Sequence, residues 1–100
     1  MQKKILITGS SGMVGRSLIK ILKKRNYKIL APTSKKLDLL NQISIDNFLI
    51  KNKPDAIVHL AGYIGGIGAS INEPINFLQE NMIMGLNLIK SANKFNIKNF

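Results

Sequence analysis

A short apolar run that breaks into three glycines at three-residue spacing constrains this chain more than any other feature. The stretch is Lys3 to Gly15, KKILITGSSGMVG. Ile5, Leu6 and Ile7 are contiguous, the pattern of a strand buried on both faces of a parallel sheet. Thr8 and Gly9 end the run, Gly12 and Gly15 follow, and VGRSLIKILKK has helical apolar spacing. A strand that passes through a glycine turn into a helix points the first helical N–H groups, and the positive end of the helix dipole, at whatever lies over the turn. A pyrophosphate suits that position. Gly9 supplies the turn dihedrals, Gly12 leaves the backbone open to a phosphate, and Gly15 lets the helix pack close to the strand. Ser10 and Ser11 add hydroxyls, and Met13 and Val14 complete the segment. The spacing is G-x-x-G-x-x-G rather than G-x-G-x-x-G. The triplet carries weight because a strand precedes it and a helix follows it.

Downstream, Val14, Leu18, Ile21 and Leu22 recur at helical spacing as one apolar face. Asn26 can end that helix in a left-handed cap. Tyr27 to Ala31 reads as a second strand closed by Pro32, and Leu37 to Leu40 as a short third strand or its end. Ser44 to Lys53 has the pattern of a helix, with Ile45, Phe48 and Leu49 inward and Ser44 at the N-cap. Ala56 to Leu60 reads as a fourth buried strand. Tyr63 to Ser70 is a glycine-rich loop placed to serve as a lid over a substrate or a nicotinamide. A long helix is expected from about Ile75 to Phe95, with Phe77, Leu78, Met82, Leu86, Leu88, Ile89 and Ala92 apolar. Met82 and Met84 read as core filler. Asn81 either hydrogen-bonds backbone beside the fourth strand or faces solvent. Asn96 to Phe100 opens a fifth strand. The alternation predicts an α/β fold, a Rossmann-type doubly wound parallel sheet with strand order 3-2-1-4(-5), in one domain.

In such a sheet ligands sit at the carboxyl ends of the strands. The end of the second strand discriminates between dinucleotides, and an acid there would bind the ribose hydroxyls of NAD. The chain has Pro32-Thr33-Ser34-Lys35-Lys36 and no acid. Hydroxyls followed by lysines favour the 2′-phosphate of NADPH, with NAD the lesser expectation; the lysines also fit a plain solvated loop. Asp38 can accept from an adenine amino group while Leu39 covers the ring, or Asp38 can belong to an ordinary turn. Small residues at Ala61 and Gly62 leave room for a nicotinamide ribose and pyrophosphate. His59 lies within a buried strand and reads as structural.

The net charge of +10 raises the question of nucleic acid. The lysines are scattered and no aromatic residues interleave with them as a single-strand platform requires. A solvated basic surface with some attraction for an anionic cofactor is the favoured reading, and no nucleic-acid partner is expected. No apolar run of about eighteen residues marks a membrane span. The N-terminal apolar run is too short for a signal segment, so a cytoplasmic protein is expected. The absence of cysteine excludes disulfides and thiolate metal sites, and no metal is expected.

Ile7 to Gly15, ITGSSGMVG, resembles the TGxxGxxG motif of the extended short-chain dehydrogenases/reductases, the NAD-dependent epimerase/dehydratase family. Asp38-Leu39, His59-Leu60-Ala61-Gly62 and Asn81 resemble that family's adenine, central-strand and structural-asparagine positions. LDLLN and AGYIGGIGASINEPINFLQENMIMGLNLI resemble its NADPH-dependent epimerase/reductases acting on GDP-4-keto-6-deoxy-D-mannose. The resemblance covers essentially the whole chain. It implies cofactor contacts from Gly9, Ser10, Ser11, Gly12, Met13, Val14, Gly15, Asp38, Leu39, Leu60, Ala61 and Gly62. There are departures: Thr33-Ser34 stands where the subfamily tends to place arginine, and Tyr63 replaces a lysine-like position. The family's serine and its Tyr-x-x-x-Lys pair lie after the fifth strand, and Ile67 stands four residues after Tyr63. The chain therefore reads as residues 1–100 of a cofactor-binding domain, the N-terminal part of a longer enzyme. It is expected to carry no catalytic residue of its own and to be inactive alone. Nucleotide-sugar binding and homodimer formation are expected of the full-length protein. The alternatives are another nucleotide-sugar epimerase/dehydratase or a non-catalytic dinucleotide-binding module.

Overall fold

A computed structural model describes residues 2–62 and 74–100. The glycine-rich loop Tyr63 to Ser70 lies outside the described residues. Three strands form a parallel sheet: β1 (Lys4–Thr8), β2 (Lys28–Leu30) and β3 (Ala56–His59). Helix α1 (Met13–Lys24) links β1 to β2, α2 (Gln42–Asn52) precedes β3, and α3 (Pro74–Lys94) follows it. The sheet order is β2-β1-β3. β1 is central, with Leu6 opposite Leu30 on one side and Ile57 on the other. Being paired on both edges and covered on its faces, β1 reads as an unbroken apolar run, and Leu6 and Ile7 are wholly buried.

The expected third strand is absent. Residues 37–40 form turns instead. The Leu40 N–H donates to the Asp38 carboxylate at 3.0 Å, and the Asn41 N–H to the Asp38 carbonyl at 3.1 Å. A short Asp side chain that bonds its own following backbone outcompetes a sheet ladder over so brief a stretch. Leu37 and Leu39 are nonetheless buried, and their alternation is what imitates a strand. The observed order therefore lacks the outer strand of the expected 3-2-1-4 arrangement. The fifth strand is represented by a single parallel bridge, Asn99 to Ala56, with the Ile57 N–H donating to the Asn99 carbonyl at 2.8 Å.

Helix ends follow local chemistry. α1 stops at Asn26, whose φ of 63° is left-handed as expected. α2 starts two residues before the expected point. Its N-cap is Asn41, whose side-chain oxygen accepts from the N–H groups of Ile43 and Ser44. Ser44 is not the cap; its hydroxyl accepts from the Asp38 N–H at 3.1 Å.

The core lies between the sheet and the α2–α3 pair, and its members include Leu6, Ile45, Leu49, Ile57, Met84 and Leu88. Two helices do not bury the stripes expected of them. On α1, Val14 and Ile21 are exposed. On α3, Leu78, Met82, Leu86 and Ile89 are exposed, whereas Met84, Leu88 and Ala92 are buried. Met84 is core filler as expected and Met82 is not. α3 is apolar on two faces, and the sheet layer takes only one of them. A polar ladder ties α3 to α2. The Ser91 hydroxyl, fully buried, donates to Asp46 at 2.6 Å, and the Lys94 ammonium reaches the other Asp46 oxygen at 3.1 Å. The Ser91 hydrogen bond, then Lys94, hold the Asp46 carboxyl below its ordinary pKa.

The two faces of α3 differ in energetic weight. Leu88→Ala is expected to destabilise the chain by about 2–5 kcal/mol in urea unfolding. Leu86→Ala is expected to change it by less than about 0.5 kcal/mol. Equal effects would contradict the assignment of faces.

Candidate functional site

The glycine turn is built by close backbone approach. Gly9 has φ of +71°, and a Cβ there would lie 2.6 Å from the Leu60 carbonyl carbon and 2.7 Å from the Ala61 nitrogen. Any side chain at Gly9 would both strain the backbone and collide with the end of β3. A Cβ on Gly15 would lie 2.5 Å from the Gly9 carbonyl oxygen, so Gly15 lets α1 sit directly under the turn. Gly12 is different. A Cβ there would meet only the Gly9 oxygen, at 3.4 Å, with open space otherwise. The first intrahelical bond runs from the Arg16 N–H to the Gly12 carbonyl. The amides of Met13, Val14 and Gly15 thus precede the helical ladder, the position from which a helix start attracts an anion.

Thr8 locks the two strand ends together. Its hydroxyl oxygen accepts from the N–H groups of Leu60 at 3.0 Å and Ala61 at 3.1 Å. Both acceptor positions are then used, so its single O–H donates to His59 Nδ1, 2.7 Å away. That assigns His59 as the neutral ring with its proton on Nε2. Burial pushes the His59 pKa below its ordinary value, in agreement. His59 is thus part of the scaffold under the site.

A cleft of about 540 Å³ opens at the carboxyl edge of the sheet, within the range of small-molecule and cofactor sites. Gly9, Ser10, Ser11 and Gly12 form one wall, and Leu60, Ala61 and Gly62 another. The 37–40 turn, with Asp38 and Leu39, forms the third. Of the expected site residues, Met13, Val14 and Gly15 do not line the cleft; they form the helical turn behind it. Thr33 and Ser34 line it as well, at the end of β2. Lys35 and Lys36 are exposed beside it and are not among its lining residues.

Sequence reasoning passed over Thr8 and Met84, which also line the cleft. A hydroxyl immediately before the first glycine was the available signal for Thr8. Nothing local distinguishes Met84 from other core methionines. Asn81 sits beside the cleft: a Cβ on Gly62 would lie 3.4 Å from its side-chain oxygen. Among the described residues there is no cluster of His, Cys, Asp or Glu that could hold a metal ion. None of the described helices is long and apolar enough to cross a membrane.

Comparison with known proteins settles the class. Residues 5–100 match the model of the NAD dependent epimerase/dehydratase family, and the chain belongs to that family. Among particular relatives, it is 47% identical to GDP-L-colitose synthase from Yersinia pseudotuberculosis over 95 residues. It is also 47% identical to GDP-L-fucose synthase from Azorhizobium caulinodans over 90 residues. These alignments take in 95% and 90% of this chain but only 31% and 29% of the relatives' lengths. The GDP-mannoheptose C4 reductase MlghC from Campylobacter jejuni, solved with NADP bound, superposes with a TM-score of 0.88 at 30% identity. That match covers 97% of this chain and 31% of MlghC. The sheet and helices described above are therefore the start of a Rossmann-type NAD(P)-binding fold.

The Thr8–His59 pair has a pH signature. With a folded pKa below 6.5, His59 contributes stability that is fully present above pH 6.5 and is lost as pH falls through the lowered value. An NMR titration of the ring is expected to give a midpoint below 6.5. His59→Gln is expected to remove that part of the acid loss of stability. A midpoint at or above the ordinary value would contradict the tautomer assignment.

Proposed function

We propose that the chain is the cofactor-binding N-terminal part of an NADPH-dependent epimerase/reductase acting on a GDP-linked 4-keto-6-deoxy sugar, in the manner of a GDP-L-fucose synthase. The observation that carries the reading is the open face of Gly12, set in a turn whose other two glycines are closed against backbone. Of the turn's three glycines, Gly12 is the one whose main chain a ligand can approach closely, and it lies beside the first turn of α1. The cleft then leads past the small pair Ala61 and Gly62 on one side and past Asp38 and Leu39 on the other. These walls suit the two ends of a dinucleotide joined by a pyrophosphate over the glycine turn.

NADPH is favoured over NADH because Thr33 and Ser34, and no acid, line the cleft after β2. NADPH, when bound, supplies hydride for reduction of a keto carbon. The part of this chain is to bind and orient the dinucleotide. The relatives named as GDP-L-colitose and GDP-L-fucose synthases support a GDP-linked sugar as substrate of the whole protein. Proton transfer falls to residues beyond these, so residues 1–100 bind cofactor and turn nothing over. The exposed apolar stripe of α3, Ile75, Leu78, Met82, Leu86 and Ile89, supports homodimer formation by the whole protein. A cytoplasmic location accords with a pathway fed by NADPH and nucleotide sugars.

Isothermal titration tests the reading. The chain is expected to bind NADPH at least about ten-fold more tightly than NADH. Gly12→Ala is expected to weaken NADPH binding by about ten-fold or more, since its methyl occupies the open approach. Its stability is expected to fall by less than about 1 kcal/mol, because Gly12 has ordinary extended dihedrals. Equal affinity for the two dinucleotides would remove the NADPH assignment, and unchanged binding by Gly12→Ala would remove the site.

A further inference from the structure

The 37–40 wall of the cleft has no strand to hold it, yet it is fixed. Three contacts do so. Asp38 bonds its own turn, the Ser44 hydroxyl accepts from the Asp38 N–H, and Asn87 reaches in from α3. The Asn87 side-chain amide donates to the Leu39 carbonyl at 3.0 Å. It spans 48 positions of sequence and is the long-range member of the set. Gln42, at the start of α2, donates to the Asn87 carbonyl at 2.9 Å and also bonds Ser91. The wall, the N-terminus of α2 and the middle of α3 are thus joined through one residue.

The spacing along α3 gives that contact its meaning. Asn81 abuts Gly62 on one wall, Met84 lines the cleft, and Asn87 holds Leu39 on the opposite wall. Three residues at i, i+3 and i+6 lie along one side of a helix. α3 therefore sets the distance between the two walls. Leu39 is buried with Met84 and Leu88 in the core, so a displaced Leu39 carbonyl would carry both the turn and the apolar cover of the cleft with it.

We propose that Asn87 is a positioning residue for the adenosine end of the bound dinucleotide, acting through the Leu39 carbonyl without touching the ligand. This rests on the cofactor reading above. Asn87→Asp keeps the shape and replaces the donor with an acceptor that repels the carbonyl. Ser91→Ala serves as the comparator, because it cuts the same helix–helix ladder one turn away and leaves the Leu39 carbonyl bonded. The ligands are adenosine 2′,5′-bisphosphate for one end of the cleft and reduced nicotinamide mononucleotide for the other, titrated by NMR into the full chain.

Loss of a hydrogen bond of ordinary strength predicts that Asn87→Asp weakens the bisphosphate about five-fold or more and the mononucleotide less than about two-fold. Ser91→Ala is expected to leave both within about two-fold. Equal losses for both ligands, or the same loss from Ser91→Ala, would show a merely structural contact and overturn the proposal. A wild-type chain that binds both ligands with Asn87→Asp unaffected overturns it alone. A wild-type chain that binds neither ligand overturns the cofactor reading and this inference together.

Discussion

Where β1 and β3 end side by side, the Gly9 backbone approaches Leu60 so closely that a Cβ would fall 2.6 Å from the Leu60 carbonyl carbon. Thr8, one residue earlier, joins the same two ends by accepting from two successive N–H groups and donating to His59. The glycine turn and the 60–62 segment are consequently one unit. The cleft exists because the turn is anchored on that side and open on the other, at Gly12. A bulkier residue at position 9, or a hydroxyl missing at position 8, would separate the walls before any ligand arrived.

α3 performs the corresponding task from behind. Its inner face supplies Met84 and Leu88 to the core, and its polar positions meet both walls of the cleft. Its outer face is as apolar as its inner one, and α1 likewise leaves Val14 and Ile21 exposed. The chain spans less than a third of the length of its relatives. Both helices carry apolar residues on the side turned away from the sheet.

Much of this was legible in the residues. The Ile5–Ile7 run, the glycine spacing and the Ala56–His59 segment place the central strands and the turn, because burial on both faces demands contiguous apolar residues. Asn26 announced the end of α1. What the residues left undecided was the 37–40 turn, weighed there against a strand, since a Leu-Asp-Leu alternation looks the same whether the leucines are buried by a ladder or by an Asp-closed turn. The two-faced character of α3 was equally hidden: periodicity reports that a side is apolar and does not report what covers it. For the site, Ser10, Ser11, Ala61 and Gly62 could be placed from strand ends alone. Met84 and Asn87 could not, because their roles depend on contacts across about 45 residues or more of chain, which appear only when the sheet and helices are assembled; Thr8 was marked only by a hydroxyl before the first glycine, and its partners lie 52 and 53 positions away.

Dinucleotide binding is proposed at the carboxyl edge of the sheet, over the Gly9–Gly12 turn. Chemical-shift mapping of the full chain during titration with NADPH tests it most directly. The account predicts saturable shifts at the amides of Gly9, Ser10, Ser11, Gly12 and Met13, extending to Leu39 and Gly62. It predicts none at the opposite edge, where Lys3, Tyr27 and Lys98 border a separate hollow. Shifts concentrated at Lys3 and Lys98, with the glycine turn unmoved, would mean that the basic surface attracts the anion and that the turn is only a turn.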